Sequence, residues 1–150
     1  MEPHLNPLAL VVAAIMPMLM GFVYYHPKVM GGRWMKANGF TLESIGTRPK
    51  PVLYLLALAA SFLLALFVWA NVTGGGGRDP LQVTDPIDGH SYVTFGHGVV
   101  HGLIMSILVV LPIFVTMSIF EKRGWNWAFI NWGYWSVTIT LMAGILSDWR

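Results

Sequence analysis

Four stretches of the chain carry no Asp, Glu, Lys or Arg, and each is long enough to cross a lipid bilayer. They cover residues 3–27, 51–77, 89–120 and 124–147. About 20 apolar residues in a helix cross roughly 30 Å of hydrocarbon at about 1.5 Å per residue. The pattern predicts one transmembrane domain over residues 1–150, with spans near 6–25, 51–71, 97–119 and 127–147.

Composition supports the same class of protein. Hydrophobic residues make up 55% of the chain and charged residues 11%, whereas soluble domains carry about 25% charged residues. We therefore expect an integral membrane protein with the lipid bilayer as a partner. The cations are spread over separate loops rather than gathered in one basic stripe, which argues against a nucleic-acid partner. The chain has no cysteine, which excludes disulfides and thiolate metal sites.

The distribution of Lys and Arg predicts the orientation in the membrane. Loop one carries Lys28, Arg33, Lys36, Arg48 and Lys50, and loop three carries Lys122 and Arg123. Loop two has only Arg78 and the C-terminus only Arg150. Because cations are enriched on the cytoplasmic side, loops one and three should face the cytoplasm and both termini should face outward.

Loop one should lie along the membrane interface and contain a short helix. Asn38-Gly39 is typical of a turn, and Thr41 is a suitable N-cap for a helix that includes Ser44. Basic and aromatic residues in such a loop are common topology determinants, but they also suit an anionic lipid. The sequence alone leaves the second alternative open.

Small residues line one face of three spans, which favours close helix contacts within the chain or between copies. The faces are Ala9, Ala13, Pro17 and Gly21; Ala57, Ser61 and Ala65; and Gly98, Gly102, Ser106 and Val109. Pro17 and Pro112 should kink their helices. Along the last span a polar stripe should face protein, because lipid cannot satisfy hydroxyls and amides. Its members are Asn131, Tyr134, Thr138 and Met142.

Histidines near the start of the third span are the clearest chemical feature. His97 and His101 are four residues apart, the spacing at which two helical histidines can bind one metal ion. Four spans place the pair on the same side of the membrane as Asp148 and His4, either of which is a candidate third ligand. The implied cofactor is a divalent metal ion. The alternative is that these residues are ordinary interfacial polar groups. Asp85, Asp88 and His90 of loop two offer further metal ligands, but their spacing matches no calcium loop, and we expect a solvated loop there.

Several motifs taken together resemble the bacterial DUF1761 family of small four-helix membrane proteins of unassigned function. They are Tyr24-Tyr25-His26-Pro27, Gly32 through Lys36, Phe95 through Gly102, Phe120 through Arg123, and Ile130 through Trp135. The family's usual aromatic-Ser-Pro after the first helix is here Tyr25-His26-Pro27, which makes His26 particular to this protein or its close relatives. The resemblance implies a bacterial inner membrane location, but no activity, substrate or catalytic residue.

These features favour an all-α, integral membrane four-helix bundle with a short interfacial helix after helix 1. The function we expect is that of a non-enzymatic structural or accessory component, either a homo-oligomer or a subunit of a membrane assembly. A small metal-binding or proton-handling transporter that uses the His97/His101 pair is the alternative. An enzyme ranks last, because the sequence lacks Gly-x-Ser-x-Gly, His-Glu-x-x-His and the nucleotide-binding glycine patterns.

Overall fold

Helices account for most of the part of the chain that the computed structural model describes, namely residues 5–41, 43–44, 50–73 and 93–149. They are α1 Pro7–Tyr24, α2 Gly32–Asn38, α3 Pro51–Thr73, α4 Phe95–Phe120 and α5 Trp125–Asp148. No strand occurs in these residues, so the all-α prediction is confirmed. Within the described ranges the helix count is five rather than four, because loop one forms a helix of its own. The other four helices are each long and apolar enough to cross a membrane.

Loop one forms a short helix before the predicted turn at Asn38-Gly39. A π-helical turn, Pro27–Gly31, leads into α2, which ends at Gly39 with φ 69°. The N–H of Phe40 then bonds to the carbonyl oxygen of Met35 at 2.9 Å. The predicted turn is thus confirmed, and the helix predicted after Thr41 falls largely on residues outside the described part. Thr41 and Ser44 exchange bonds between backbone N–H and side-chain hydroxyl, and residues 45–49 lie outside the described part.

Helix α5 is at the centre of the described fold, and α1, α3 and α4 pack around it. The core is built from small and apolar side chains of three helices: Ala9 and Ala13 of α1, Ala65 and Val68 of α3, and Met142 and Leu146 of α5. In α5 the predicted polar stripe does face protein. Tyr134, Thr138 and Met142 are buried, and Asn131 bonds to the Trp127 carbonyl oxygen.

Two glycines bring α4 against α5. A Cβ atom on Gly102 would lie 2.6 Å from Thr140 Cα and 3.1 Å from Ala143 Cβ, and one on Gly98 would overlap the Ala143 carbonyl oxygen. Only a residue without a side chain allows the two backbones to approach this closely. The predicted contact at Gly102 is confirmed.

A π-helical turn, Ser106–Val110, precedes Pro112 in α4. The Leu111 N–H bonds to the Ser106 carbonyl oxygen, five residues back, and the Trp132 indole N–H donates to the same oxygen at 3.1 Å. A wider turn relieves the clash between a proline ring and the carbonyl one turn earlier. The wider turn also adds one residue to the spacing of the small-residue face that begins at Gly98 and Gly102. Val109 is therefore exposed, contrary to prediction, and Val110 packs on the core instead.

Asn38 fastens α2 to the start of α5. Its side-chain oxygen accepts a bond from Trp127 Nε1 at 3.1 Å and one from the Arg123 guanidinium at 3.2 Å. The guanidinium carbon of Arg123 lies 4.9 Å from the centre of the Trp127 ring, within the range of a cation–π contact. These contacts fix the position of α2 relative to α5.

Candidate functional site

The two histidines of α4 lie side by side, as their spacing predicts. The ring centres of His97 and His101 are 4.3 Å apart and the ring planes are tilted by 37°. Both side chains are half-buried. The pair therefore presents two imidazoles at one position near the N-terminus of α4.

Asp148 lies at the same end of the fold, where it caps α4. Its Oδ1 accepts a bond from the Phe95 N–H at 3.2 Å, and Thr94 Oγ1 accepts one from the His97 N–H. The Ser147 hydroxyl donates to the Thr94 carbonyl oxygen at 2.8 Å. A carboxylate at a helix N-terminus satisfies an otherwise unbonded N–H group and complements the helix dipole. Sequence reasoning placed Asp148 at this end but missed its role as a cap.

The described ranges contain no group of three or more His, Asp or Glu side chains placed to hold a metal ion. His4 and the loop residues Asp85, Asp88 and His90 lie outside these ranges. A metal ion at His97 and His101 thus stays a prediction. Within the described part, the candidate ligands that lie side by side are these two histidines.

A second feature is a groove between α1 and α3, with a volume of about 860 Å³. Gly21 of α1 and Ala57, Ala60 and Ser61 of α3 form its walls. Sequence reasoning assigned Ala57 and Ser61 to a close helix contact. Ser61 is buried, but Ala57 is exposed, so this end of the small-residue face lines the groove. The volume is within the roughly 300–1,000 Å³ usual for small-molecule sites.

The floor of the groove is formed by two aromatic residues of α5, Tyr134 and Trp135, whose ring centres lie 5.0 Å apart. The Tyr134 hydroxyl donates to the Pro17 carbonyl oxygen at 2.7 Å. The Tyr25 ring centre lies 5.0 Å from that of Tyr134, with the ring planes tilted by 41°, and Tyr25 lines the groove at the end of α1. A largely apolar surface results.

One end of the groove carries hydrogen-bond donors. The N–H of Lys28 donates to His26 Nδ1 at 3.3 Å, so the proton of a neutral His26 ring is on Nε2. The Tyr25 phenol, which also lines this end, donates to Asn131 Oδ1 at 3.3 Å. Tyr54, one turn into α3, supplies a further phenol. The groove thus combines an apolar body with a polar end.

Nothing in the sequence marks this groove as a site. Its residues come from three helices, and small residues at helical spacing indicate helix contacts more often than ligand contacts. Of the groove residues, His26 alone had been set apart in the sequence analysis, by the resemblance and not by any ligand pattern. His26 lies at the polar end of the groove.

Fold and site define an all-helical protein with four helices of membrane-spanning length and a groove between two of them. Residues 8–147 match the model of a family described as "Protein of unknown function (DUF1761)". The chain belongs to this family, as its motifs suggested. No curated protein and no solved structure matches the chain.

Proposed function

We propose that this chain is an accessory protein of the bacterial inner membrane that holds the apolar chain of a bilayer lipid between α1 and α3. The observation that carries the proposal is the groove of about 860 Å³. Its walls belong to two helices of membrane-spanning length, so a molecule that enters it comes from the bilayer. Its small wall residues leave room for a hydrocarbon chain, and its donors suit the acceptor oxygens of a lipid ester or headgroup.

The outer surface supports membrane embedding of the bundle. Phe22 of α1, Leu63 of α3 and Leu108 of α4 are 74%, 68% and 69% exposed. Large apolar side chains on three outward faces would be costly in water, but they match hydrocarbon. The four long helices then cross the membrane as an integral bundle, and α2 lies at its interface.

The proposed orientation places both termini on the periplasmic side. It rests on the excess of Lys and Arg in loops one and three. The polar end of the groove, at His26 and Tyr54, then lies at the cytoplasmic headgroup level.

The proposed role requires no covalent chemistry. A homo-oligomer or a larger membrane assembly would bury some of the apolar outer surface, and we propose such an association as part of the accessory role. The mass of the purified protein in detergent tests it, because a monomeric mass across the accessible concentration range would exclude a stable homo-oligomer.

The groove is tested by filling it. Ala57→Phe places a ring inside the groove, while Ala59→Phe adds the same ring to an exposed position of α3 that does not line it. We expect native mass spectrometry to show one fewer co-purifying lipid for Ala57→Phe than for wild type. Ala59→Phe should retain the wild-type number. Equal lipid retention by both variants would contradict the proposal.

A second candidate function is metal binding at His97 and His101. The observation that favours it is the 4.3 Å separation of the two ring centres. The neutral imidazole nitrogens would serve as ligands for a divalent ion such as Zn²⁺. Transport by this pair, the alternative drawn from the sequence, has no support from the described structure or from the family match.

A further inference from the structure

A separate pocket of about 660 Å³ lies between α2 and the start of α5. Arg33 and Lys36 of α2 form one wall, and Asn126, Phe129 and Ile130 of α5 form the other. The pocket is distinct from the groove between α1 and α3, which opens between other helices. The bonds that Asn38 accepts from Arg123 and Trp127 hold its two walls together.

The charge in this pocket is of one sign. Of the described residues that line it, the charged ones are Arg33 and Lys36, and both are exposed cations. The nearest acid of loop three, Glu121, is occupied by Arg123 at 2.7 Å. Two cations that face one pocket repel each other unless an anion lies between them.

The start of α5 adds to this positive potential. Its N-cap is Gly124, which has no side chain to bond to the first N–H groups of a 24-residue helix. The Trp127 N–H bonds to the Gly124 carbonyl oxygen at 2.9 Å, and the positive end of the helix dipole favours an anion. Gly124 and Asn126 both line the pocket, so the helix end and the cations act on the same space.

The rest of the lining is apolar. Met30, Phe129 and Ile130 contribute to it, and Tyr24 adds an aromatic ring whose hydroxyl is already committed to the Ile130 carbonyl oxygen at 3.0 Å. A soluble anion would gain little from such a surface. A molecule with an anionic head and an apolar body would contact both parts.

We infer that this pocket binds a phosphate group, presented on the headgroup of an anionic phospholipid. The Arg33 guanidinium can donate two parallel bonds to phosphate oxygens and Lys36 adds a second cation. The glycerol and upper acyl chain contact Phe129 and Ile130. Free phosphate shares the headgroup chemistry but lacks the apolar part, and the experiment separates the two sources.

The test uses the purified full chain in nanodiscs of phosphatidylcholine, with and without phosphatidylglycerol. Thermal unfolding reports binding, because a ligand that binds only the folded state raises the melting temperature. We expect phosphatidylglycerol to raise it for wild type. Arg33→Gln/Lys36→Gln should weaken binding about 30-fold, which corresponds to about 1 kcal/mol for each cation.

The matched control is Lys28→Gln/Lys50→Gln, which removes the same charge from loop one but leaves the pocket lining unchanged. This variant should keep most of the wild-type shift. If the double pocket variant does not fold, each single variant, Arg33→Gln or Lys36→Gln, should show about a fivefold loss. Arg33→Lys/Lys36→Arg, which keeps both charges, should retain most of the binding.

Inorganic phosphate added to phosphatidylcholine nanodiscs tests the other source. Inorganic phosphate should act only if the site takes the soluble ion. A rise in melting temperature as large as that from phosphatidylglycerol, absent in Arg33→Gln/Lys36→Gln, would therefore assign the phosphate site to the soluble ion and overturn the lipid assignment. An equal loss in the control pair would reduce the effect to general charge and overturn the proposal. So would the absence of any shift with either phosphate source.

Discussion

The Tyr134 hydroxyl donates a 2.7 Å hydrogen bond to the carbonyl oxygen of Pro17, which joins the middle of α5 to the middle of α1. Tyr134 is 8% exposed and Pro17 is also buried. A phenol at this depth needs an acceptor, and a helical carbonyl oxygen has a second lone pair to offer. The polar stripe of α5 therefore provides a contact between helices at this point.

Replacement of this phenol should destabilise the fold without changing its packing. Tyr134→Phe removes the hydroxyl and leaves the Pro17 contact without its donor, so we expect a loss of about 1 kcal/mol in the free energy of unfolding. Tyr54→Phe removes an exposed phenol and should have little effect on stability. Thermal unfolding in detergent measures both. Equal stability of the two variants would contradict the proposed contribution of the Pro17 bond.

The contact between α4 and α5 should not tolerate a side chain at Gly102. Gly102→Ala brings a methyl group to 2.6 Å from Thr140 Cα, so we expect a loss of about 1–3 kcal/mol as the helices separate. Gly102→Leu should be worse and should lower the melting temperature further. Gly96→Ala is the control, because its nearest neighbour would lie at 3.7 Å. It should be neutral or slightly stabilising.

Ser106 should be replaceable by alanine. It is fully buried, yet its hydroxyl has no hydrogen-bond partner among the described residues. Removal of an unpaired buried hydroxyl costs little and can stabilise. Ser147→Ala, in contrast, removes the 2.8 Å bond to the Thr94 carbonyl oxygen and should cost about 1 kcal/mol. Urea or thermal unfolding of the two variants should rank Ser147→Ala as the less stable.

The proposed orientation can be read from single cysteines, since the chain has none of its own. Trp149→Cys should react with an impermeant thiol reagent in intact spheroplasts, because the C-terminus is proposed to face outward. Lys28→Cys, in loop one, should react only after the membrane is opened. Both side chains are exposed, so burial does not limit their reactivity. The reverse labelling pattern would invert the orientation.

The histidine pair predicts metal-dependent stabilisation. We expect Zn²⁺ or Cu²⁺ to raise the melting temperature of wild type and to leave a His97→Ala/His101→Ala variant unchanged, with calorimetry as the direct measure of binding. Because only neutral imidazole ligates a metal, the binding should weaken as acid protonates the rings. Indistinguishable responses of the two proteins would leave the pair as interfacial polar groups.

Much of the helix arrangement could be predicted because it depends on local properties. Uninterrupted apolar length gives the four long helices, and the 3.6-residue period puts His97 beside His101 and Gly98 beside Gly102. The stripe through Tyr134 and Thr138 faces protein, as expected for hydroxyls that lipid cannot satisfy. The predicted position of Val109 on the small-residue face was wrong, because the sequence does not indicate that α4 adopts a π-helical turn before Pro112.

The sequence by itself determined the all-helical class, the family, the approximate helix bounds and the pairing of residues one turn apart, because each depends on neighbours within about one or two helical turns. Only the tertiary structure decided which helix faces meet and which stay apart. The groove between α1 and α3 exists because α3 contacts the core through Ala65 and Val68 but not through Ala57. The pocket at Arg33 and Lys36 exists because Asn38 holds α2 beside the start of α5. Both depend on contacts between residues distant in the chain, which periodicity cannot encode.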